Sequence, residues 1–487
     1  MKFEPRHYAE RLQLINPQGD VGITTLWSRP QQALKVLTKL GIDLSPHTSR
    51  VAVIANLYGN GLPQLLRNLL WNPQIVYLLA IGQNLSGSRE ELLNFFKYGI
   101  EPVDYLGVST HRIINTNRII DGLVTPDTFK NNPRVFAFGT LSDTDTQQQI
   151  IQFFKTLPPT QPTQIERVKI PIPKTNVQRY PSEPRNHTIL RTTPLAAWQE
   201  LIFRLVRFGY HHKLKKGERI ELQNLKVIIE QPTEEPETSL SQYGFSLQHF
   251  KTYQQRMLEP KLSEQTYTYG NRMRGYFYHN GNVVDSLAIV IQRLTADIES
   301  RHAYISLWDN SRDLPEGHGC PCFVSLFFRH FEDKLTLTAT FRTHNAMDAW
   351  LENVYGLIAI QRYVADHLAI PPGAMTVFSH SISLNIDALA RAKAVADKKP
   401  TDDMINPQTG KREPRYDYNG NFAVTVDNDN QEIVVQHNYE GTCIAEYRGK
   451  SAEAIEQQLA RDCAISEISH ALYLGREIAK KEYLLKS

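Results

Sequence analysis

Cysteine is scarce. Four thiols in 487 residues, at positions 320, 322, 443 and 463, do not make a disulfide scaffold. They also supply no two pairs at the spacing of a structural zinc site. Long apolar runs are absent: none approaches the roughly 20 residues that span a bilayer. The opening MKFEPRHYAERLQL has no continuous apolar segment of the kind a secretory leader carries. A cytoplasmic, reducing location and no membrane partner are therefore expected. Net charge is small, +3, which argues against a general binder of nucleic-acid polymers but not against a site for a small anion.

What remains is ordinary soluble material, 41% apolar and 22% charged, long enough for several domains. VAVIANLY (51–58) and QIVYLLAIG (74–82) are apolar runs of buried-strand length. Between them Leu65, Leu66, Leu69 and Leu70 have helical spacing, with Pro73 as a stop. Ser88 and Glu91 have the spacing of a capping box at the start of a helix running to about Gly99. The Gly/Ser loop before that helix reads either as an ordinary strand-to-helix connection or as an anion cradle; no P-loop lysine is present. Prolines 158, 159, 162, 171, 173, 181 and 184 mark an extended linker. A second polar, turn-rich segment follows at 398–421, and FAVTVD and EIVVQHNY beyond it predict a hairpin around DNDNQ. The expected organisation is an α/β domain over 1–157, a linker over 158–188, an α+β domain over 189–397, a linker over 398–414 and a small α+β domain over 415–487.

The centre carries the chemistry. KLTLTATFRT (334–343) alternates, with Leu335, Leu337, Ala339 and Phe341 on one face and Thr336, Thr338, Thr340 and Arg342 on the other. With FVSLFFRHF before it, this predicts a hairpin whose two ends bring Cys322 and Arg342 together. In GHGCPC (317–322) the cysteines read three ways: a reactive thiolate, part of a metal site with His318, or two small core residues.

YTYGNRMR, SRHAYISLWDN and CPCFVSLFFRHFEDKLTLTATFRTHNAMDAWLENVYGL, in this order and spacing, resemble the thymidylate synthase and pyrimidine-nucleotide hydroxymethylase family in its archaeal-type branch. The likeness runs over roughly 190–395. It implies an α+β thymidylate synthase-like core, a homodimer, a pyrimidine nucleoside monophosphate as substrate, and methylenetetrahydrofolate or a related one-carbon pterin as donor. No metal is implied. Cys322 matches the thiolate that adds to carbon 6 of the base, activating carbon 5. Arg342 and Thr343 match the phosphate-gripping pair, and a guanidinium suits that oxyanion. Arg301 matches an arginine reaching the phosphate across a dimer, where His302 replaces a second one. Tyr269 matches the tyrosine of the catalytic hydrogen-bond network and Arg274 the arginine beyond it. Asn353 matches the asparagine reading the base, and leans towards uracil.

The pattern also departs. The family has Arg-Ser-x-Asp where this chain has Arg342-Thr343-His344-Asn345, so the pterin-binding carboxylate is replaced by Asn345. Ser383 and Asn385 stand where a His and a Tyr hold the sugar. Glu259 is one candidate for the family's catalytic glutamate, beside a plainer role as a surface residue. The first expectation is methylation of dUMP to dTMP. Hydroxymethylation of dUMP, dCMP or CMP is the alternative, and a nucleotide-binding sensor that has lost catalysis the rival. LLRNLLWNPQIVYLLAIGQNLSGSREELLNFFKYGIE resembles the corrinoid-carrying subunit of tetrahydromethanopterin methyltransferase. The cobalt-binding His of that family is missing from GQNLSGSREE. HALYLGREIAKKE (470–482) resembles a small domain of unknown role.

Overall fold

The computed structural model describes residues 1–130, 132–160, 165–174, 176–215, 217–261, 267–316, 320–398 and 417–486. They form two compact units, Met1–Ala396 and Asp397–Ser487. Among the described residues no helix is long and apolar enough to cross a membrane.

The N-terminal part of the first unit is a sheet in the order β1 (Gln13–Leu14), β3 (Val51–Ala55), β2 (Val21–Thr24), β4 (Tyr77–Ala80), β8 (Arg134–Ala137). β2, β3, β4 and β8 are parallel, and β1 is antiparallel at the edge. Helices α1 (Pro30–Lys39) and α4 (Thr144–Thr156) cover one face, α2 (Leu62–Trp71) and α3 (Ser88–Tyr98) the other. Sandwiching between helices is why VAVIA and YLLA are continuous apolar runs rather than alternating ones. The two runs are not neighbours: VGIT of β2 lies between them, too short to be read from periodicity. A small antiparallel meander, β5 (Ile100–Tyr105), β6 (Val108–Ile113) and β7 (Ile119–Ile120), follows α3.

The capping box expected at Ser88 does not form. Gly87, with φ of 76°, takes the N-cap, so Ser88 is already helical. The Asn84 side chain accepts from the Arg89 N–H at 3.2 Å instead, and Glu91 pairs with Arg118 at 2.8 Å. Among its described residues the proline-rich stretch has neither helix nor strand, as missing N–H donors dictate. It is nonetheless tied down. Arg67, 1% exposed, donates to the carbonyls of Ile170 and Pro171 and forms an ion pair with Asp121 at 3.0 Å.

The rest of the unit is one eight-stranded sheet in the order β10 (Tyr210–Leu214), β11 (Gly217–Ile229), β18 (Pro372–Asn385), β16 (Lys334–Phe341), β15 (Phe323–Phe331), β14 (Tyr304–Ser306). β9 (Thr188–Arg191) adds to β11, and β17 (His344–Asn345) to β18. The expected alternation holds in β16, where Leu335, Leu337, Ala339 and Phe341 are buried. They face α5 (Pro194–Phe208), the short α6 (Glu237–Leu240), α7 (Leu247–Leu258), α8 (Tyr269–Arg274), α9 (Ser286–Ala296), α11 (Trp350–Leu368) and α12 (Leu389–Asp397), which contribute to one core. A two-strand ribbon, β12 (Tyr278–His279) and β13 (Asn282–Val283), precedes α9, and α10 (Asn310–Glu316) precedes the cysteines. Trp198 of α5 donates its indole N–H to the Ala346 carbonyl at 2.9 Å, locking the turn between β17 and α11. The opposite face of the sheet shows Phe327, 46% exposed, against Tyr304 with ring centroids 4.7 Å apart.

The second unit is an antiparallel sheet of β19 (Asn421–Asp427), β20 (Glu432–Tyr439) and β21 (Thr442–Gly449) packed on α13 (Ala452–Arg461) and α14 (Ile468–Lys486). The hairpin around DNDNQ is present; the third strand is not legible in the sequence, because TCIAEYRG does not alternate cleanly. Asp417, 5% exposed, accepts from Ser466 and from His470 at 2.8 Å and so joins the start of the unit to α14. Nearly all of the linker expected at 398–414 lies outside the described residues.

Replacing Arg67 by Met leaves Asp121 and two proline-segment carbonyls without their partner. The expected cost is about 3–5 kcal/mol, the scale for breaking a buried pair from one side. Urea unfolding, with proteolysis across 165–171, measures it.

Candidate active site

The β15–β16 hairpin sets the frame. Its closing backbone bond is the Arg342 N–H to the Cys322 carbonyl, 2.9 Å. The Arg342 guanidinium folds over the same turn, with Nε on the Pro321 carbonyl and Nη2 on the Cys320 carbonyl, each at 3.1 Å. Trp308 Nε1 adds a second donor to the Pro321 carbonyl at 3.0 Å. A register shift between Phe323 and Ser325 bends the strand just after Cys322. Behind the loop, Arg272 and Asp313 form a buried bidentate pair at 2.9 Å, and the Asp313 carbonyl accepts from Cys320 Sγ at 3.1 Å. Cys320 and Cys322 are both half-buried. Gly317, His318 and Gly319 lie outside the described residues, and with them the His318 part of the metal reading. Among the described residues no group of three potential metal ligands occurs.

Aromatic rings pack beside Cys322. Phe323 and Phe341, cross-strand partners, stack at 4.5 Å and 6°. His344 stacks on Phe341 at 3.9 Å, and Tyr269 meets Phe323 edge-on at 5.4 Å. Tyr269 is the first residue of α8 because Thr268 caps that helix, accepting from the Asn271 N–H at 3.0 Å. Burial pushes the Tyr269 phenol far above its ordinary range, so it stays protonated. Burial pushes the Tyr267 phenol up as well, with Cys322 the next cause.

Asn353, on the first turn of α11, sits inside a buried chain. Tyr253 Oη donates to Asn353 Oδ1 at 2.6 Å, and Asn353 Nδ2 donates to His344 Nε2 at 2.9 Å. His344 Nδ1 meets Ser379 Oγ at 2.9 Å. Complete burial pushes His344 down to about 3, so the imidazole is neutral and Nδ1 carries its proton. Tyr253 is a site residue that sequence reasoning misses. Its place on α7, one turn from the core residues Phe250 and Met257, gives a helical period but no sign of chemistry. At the outer end of α7, His249 Nε2 meets Glu352 Oε1 at 2.6 Å.

The structure thus gathers Cys322, Tyr269, Arg342, Thr343 and Asn353 around one hairpin end. It uses other candidates differently. Asn345 Oδ1 accepts from the N–H groups of Met347 and Asp348 at 3.0 and 3.1 Å, so the side chain caps its own turn. Ser383 lies beside Asn345 in the β17–β18 register and is buried; Asn385, two residues on, is exposed. Arg274 is held by Asp285 at 2.9 Å and by the Leu258 carbonyl at 2.8 Å, with the Tyr363 ring beneath it. Arg301 is exposed in the turn before β14. By register it lies near the Phe331 end of β15, opposite the Cys322 end. Glu259 is exposed at the C-cap of α7.

A family model described as Thymidylate synthase matches residues 185–409, and one described as PterinBD-DUF4346 matches residues 416–487. Three similar curated proteins are each named "Putative thymidylate synthase". That of Methanothermobacter marburgensis is 30% identical over 203 residues, 39% of this chain and 87% of the relative. That of Methanococcoides burtonii is 31% identical over 171 residues, 34% and 75%. That of Methanocaldococcus jannaschii is 25% identical over 205 residues, 41% and 89%.

The neutral His344 has a measurable cost in acid. Below its ordinary value of 6.5 the unfolded chain takes up a proton that the folded chain refuses. Stability therefore falls as pH drops from 6.5 towards about 3, by up to about 1.4 kcal/mol per pH unit from this group. Above that window the group contributes no slope. Urea titrations across the window, compared with His344→Asn, isolate the share of this residue.

Proposed function

Because this chain belongs to the thymidylate synthase family, we propose that the described site alkylates carbon 5 of a pyrimidine nucleoside monophosphate, with dUMP to dTMP as the reaction. The observation that carries this reading is the pairing of a free Cys322 with Arg342 at the open end of one hairpin, beside the buried amide of Asn353. Cys322 Sγ forms a bond to carbon 6 of the base, and the electron pair moves onto carbon 5 and the C4 oxygen. The Asn353 amide supplies an N–H to that oxygen and an acceptor to N3–H. Electrophilic trapping at carbon 5 and loss of the carbon-5 proton then expel Cys322. Tyr269, kept protonated by burial, and Tyr267 hold the hydroxyl network beside the thiol.

Arg342 spends Nε and Nη2 on the loop carbonyls, which leaves guanidinium donors for the nucleotide phosphate, with Thr343 adjacent. Methylenetetrahydrofolate, or a related one-carbon pterin, would supply when bound both the one-carbon unit and the hydride that takes it to a methyl group, and would leave as a dihydropterin. Asn345 is turned into its own loop, and the exposed Asp348 carboxylate that it shares with Arg391 is the acceptor at that rim for a pterin amino group.

Arg301 serves the site of a second protomer. Strand rise separates the two ends of β15 by roughly 25 Å, too far for Arg301 to reach a phosphate at Arg342 of its own chain. The exposed Phe327 on the other face of the sheet suits the homodimer this requires.

Tritium release from 5-tritiated dUMP with methylenetetrahydrofolate tests the chemistry. Wild type releases tritium, and Cys322→Ser lowers the rate about a thousandfold or more, the scale of losing a covalent nucleophile. Nucleotide binding without Cys322-dependent release would leave only a sensor, and the product mass separates methyl from hydroxymethyl. The shared site has its own check. Cys322→Ser and Arg301→Ala are each impaired alone, while mixed dimers of the two regain activity, because one of their two sites carries neither change. Failure to complement removes the cross-subunit role of Arg301.

A further inference from the structure

The turn that carries Arg301 runs from the end of α9 into β14, and several of its bonds are local. Asp297 Oδ1 accepts from the Glu299 N–H at 3.0 Å, the Asp297 carbonyl from the Ser300 N–H at 3.0 Å, and Ser300 Oγ from the His302 N–H at 3.3 Å. Bonds of this kind shape a turn without fixing where it points. Arg301 is exposed, and its side chain has no partner among the described residues. To serve the site of a second protomer it must be aimed by other groups.

Two guanidinium groups hold the backbone on either side of it. Arg293, in the last turn of α9, donates Nη1 to the His302 carbonyl at 2.7 Å. Arg329, on β15, donates Nη1 to the Glu299 carbonyl at 2.5 Å and Nη2 to Glu299 Oε2 at 3.3 Å. His330 Nδ1 meets Glu299 Oε1 at 2.7 Å, a further hold on the same side. Beyond the turn the Phe328 N–H donates to the Ala303 carbonyl at 2.9 Å and continues the β14–β15 ladder. The chain is thus tied to β15 both before Arg301 and after it.

We propose that Arg293 and Arg329 are positioning residues that aim Arg301 at the phosphate bound in the partner protomer's site. The inference rests on the cross-subunit reading of Arg301 above. Exposed ion pairs such as Arg329–Glu299 contribute little stability. What each guanidinium supplies is a fixed backbone carbonyl. A long side chain on a loose turn loses affinity for every torsion that must freeze when it grips its ligand. A turn braced beforehand avoids that loss. Arg329 is separated from Cys322 by roughly 23 Å of strand rise, so it does not act on the site of its own chain. Its effect must appear across the dimer.

The experiment uses full-length dimers whose protomers carry different tags, and reads KM and kcat for tritium release from 5-tritiated dUMP. Arg329→Met and Arg293→Met are each expected to raise KM about tenfold and to leave kcat within about twofold, because a weaker phosphate grip is lost equally from ground and transition state. Arg329→Lys keeps a donor for the Glu299 carbonyl and restores most of the affinity. Adding either Met change to Arg301→Ala raises KM no further.

Mixed dimers give the sharper comparison. A Cys322→Ser protomer paired with an Arg329→Met protomer has one working site, which receives Arg301 from the chain with Arg329 intact; its KM is that of wild type. A protomer carrying both Cys322→Ser and Arg329→Met, paired with wild type, also leaves one working site. That site receives Arg301 from an unbraced turn, and its KM rises about tenfold. A merely structural defect would stay with the protomer that bears it and reverse the two results. That reversal, an unmoved KM in both Met variants, or a further rise on the Arg301→Ala background overturns the proposal alone. An Arg301→Ala variant with wild-type KM, or a wild type that releases no tritium, removes the functional reading and this inference with it. If Arg329→Met does not fold, Arg293→Met in the same two mixed dimers decides the matter.

Discussion

Closure of one hairpin is the constraint on which the rest of the central site depends. The backbone bond from Arg342 to Cys322 fixes where the thiol stands, and the guanidinium then covers the carbonyls of Cys320 and Pro321. A proline at 321 has no N–H to satisfy, while its carbonyl receives two donors, Arg342 and Trp308. The loop is therefore held from the acceptor side by side chains of two different elements. Arg272 and Asp313 hold it from behind through a buried pair whose value lies in placement, since such pairs contribute little net stability.

Desolvation does the remaining work. Tyr253, Tyr269 and His344 all keep their neutral forms because burial disfavours charge, so the surroundings of Asn353 are a network of neutral donors and acceptors. Neutral groups of this kind can be arranged in more than one proton order, and their burial raises the cost of a stranded donor. Family membership and the likeness to archaeal relatives make the chain a one-carbon transferase. In chain order an α/β sheet precedes that region and a small α+β unit follows it, the latter matched by a family description reading PterinBD-DUF4346.

The legible parts of the sequence were those in which one local period dominates. KLTLTATF alternates because one face of β16 is buried against the core and the other is only half-buried. The leucines of α2 repeat at helical spacing because that helix has one buried face. Less legible was anything set by a neighbour distant in sequence. VGIT is a central strand only because β3 and β4 flank it, and four residues carry no period of their own. The start of α3 shifted by one residue because Gly87 adopts a left-handed conformation that Ser88 does not need.

The sequence by itself determined the chemistry on offer: a Pro-Cys at the head of a strand, an arginine at the end of the next, and a set of motifs whose order identifies the family. Those features are local, and backbone alternation makes them readable from the chain alone. Tertiary structure decided which polar groups remain available. Arg274 and Asn345 bear groups suited to a ligand, yet each is taken up by neighbours, Asp285 in one case and the backbone of its own turn in the other. Tyr253 and Ser379 look ordinary as residues, yet packing of α7 and β18 brings them to the two ends of the chain that holds Asn353. Hydrogen bonds saturate, so what a side chain can do for a ligand depends on the partners the fold has already given it.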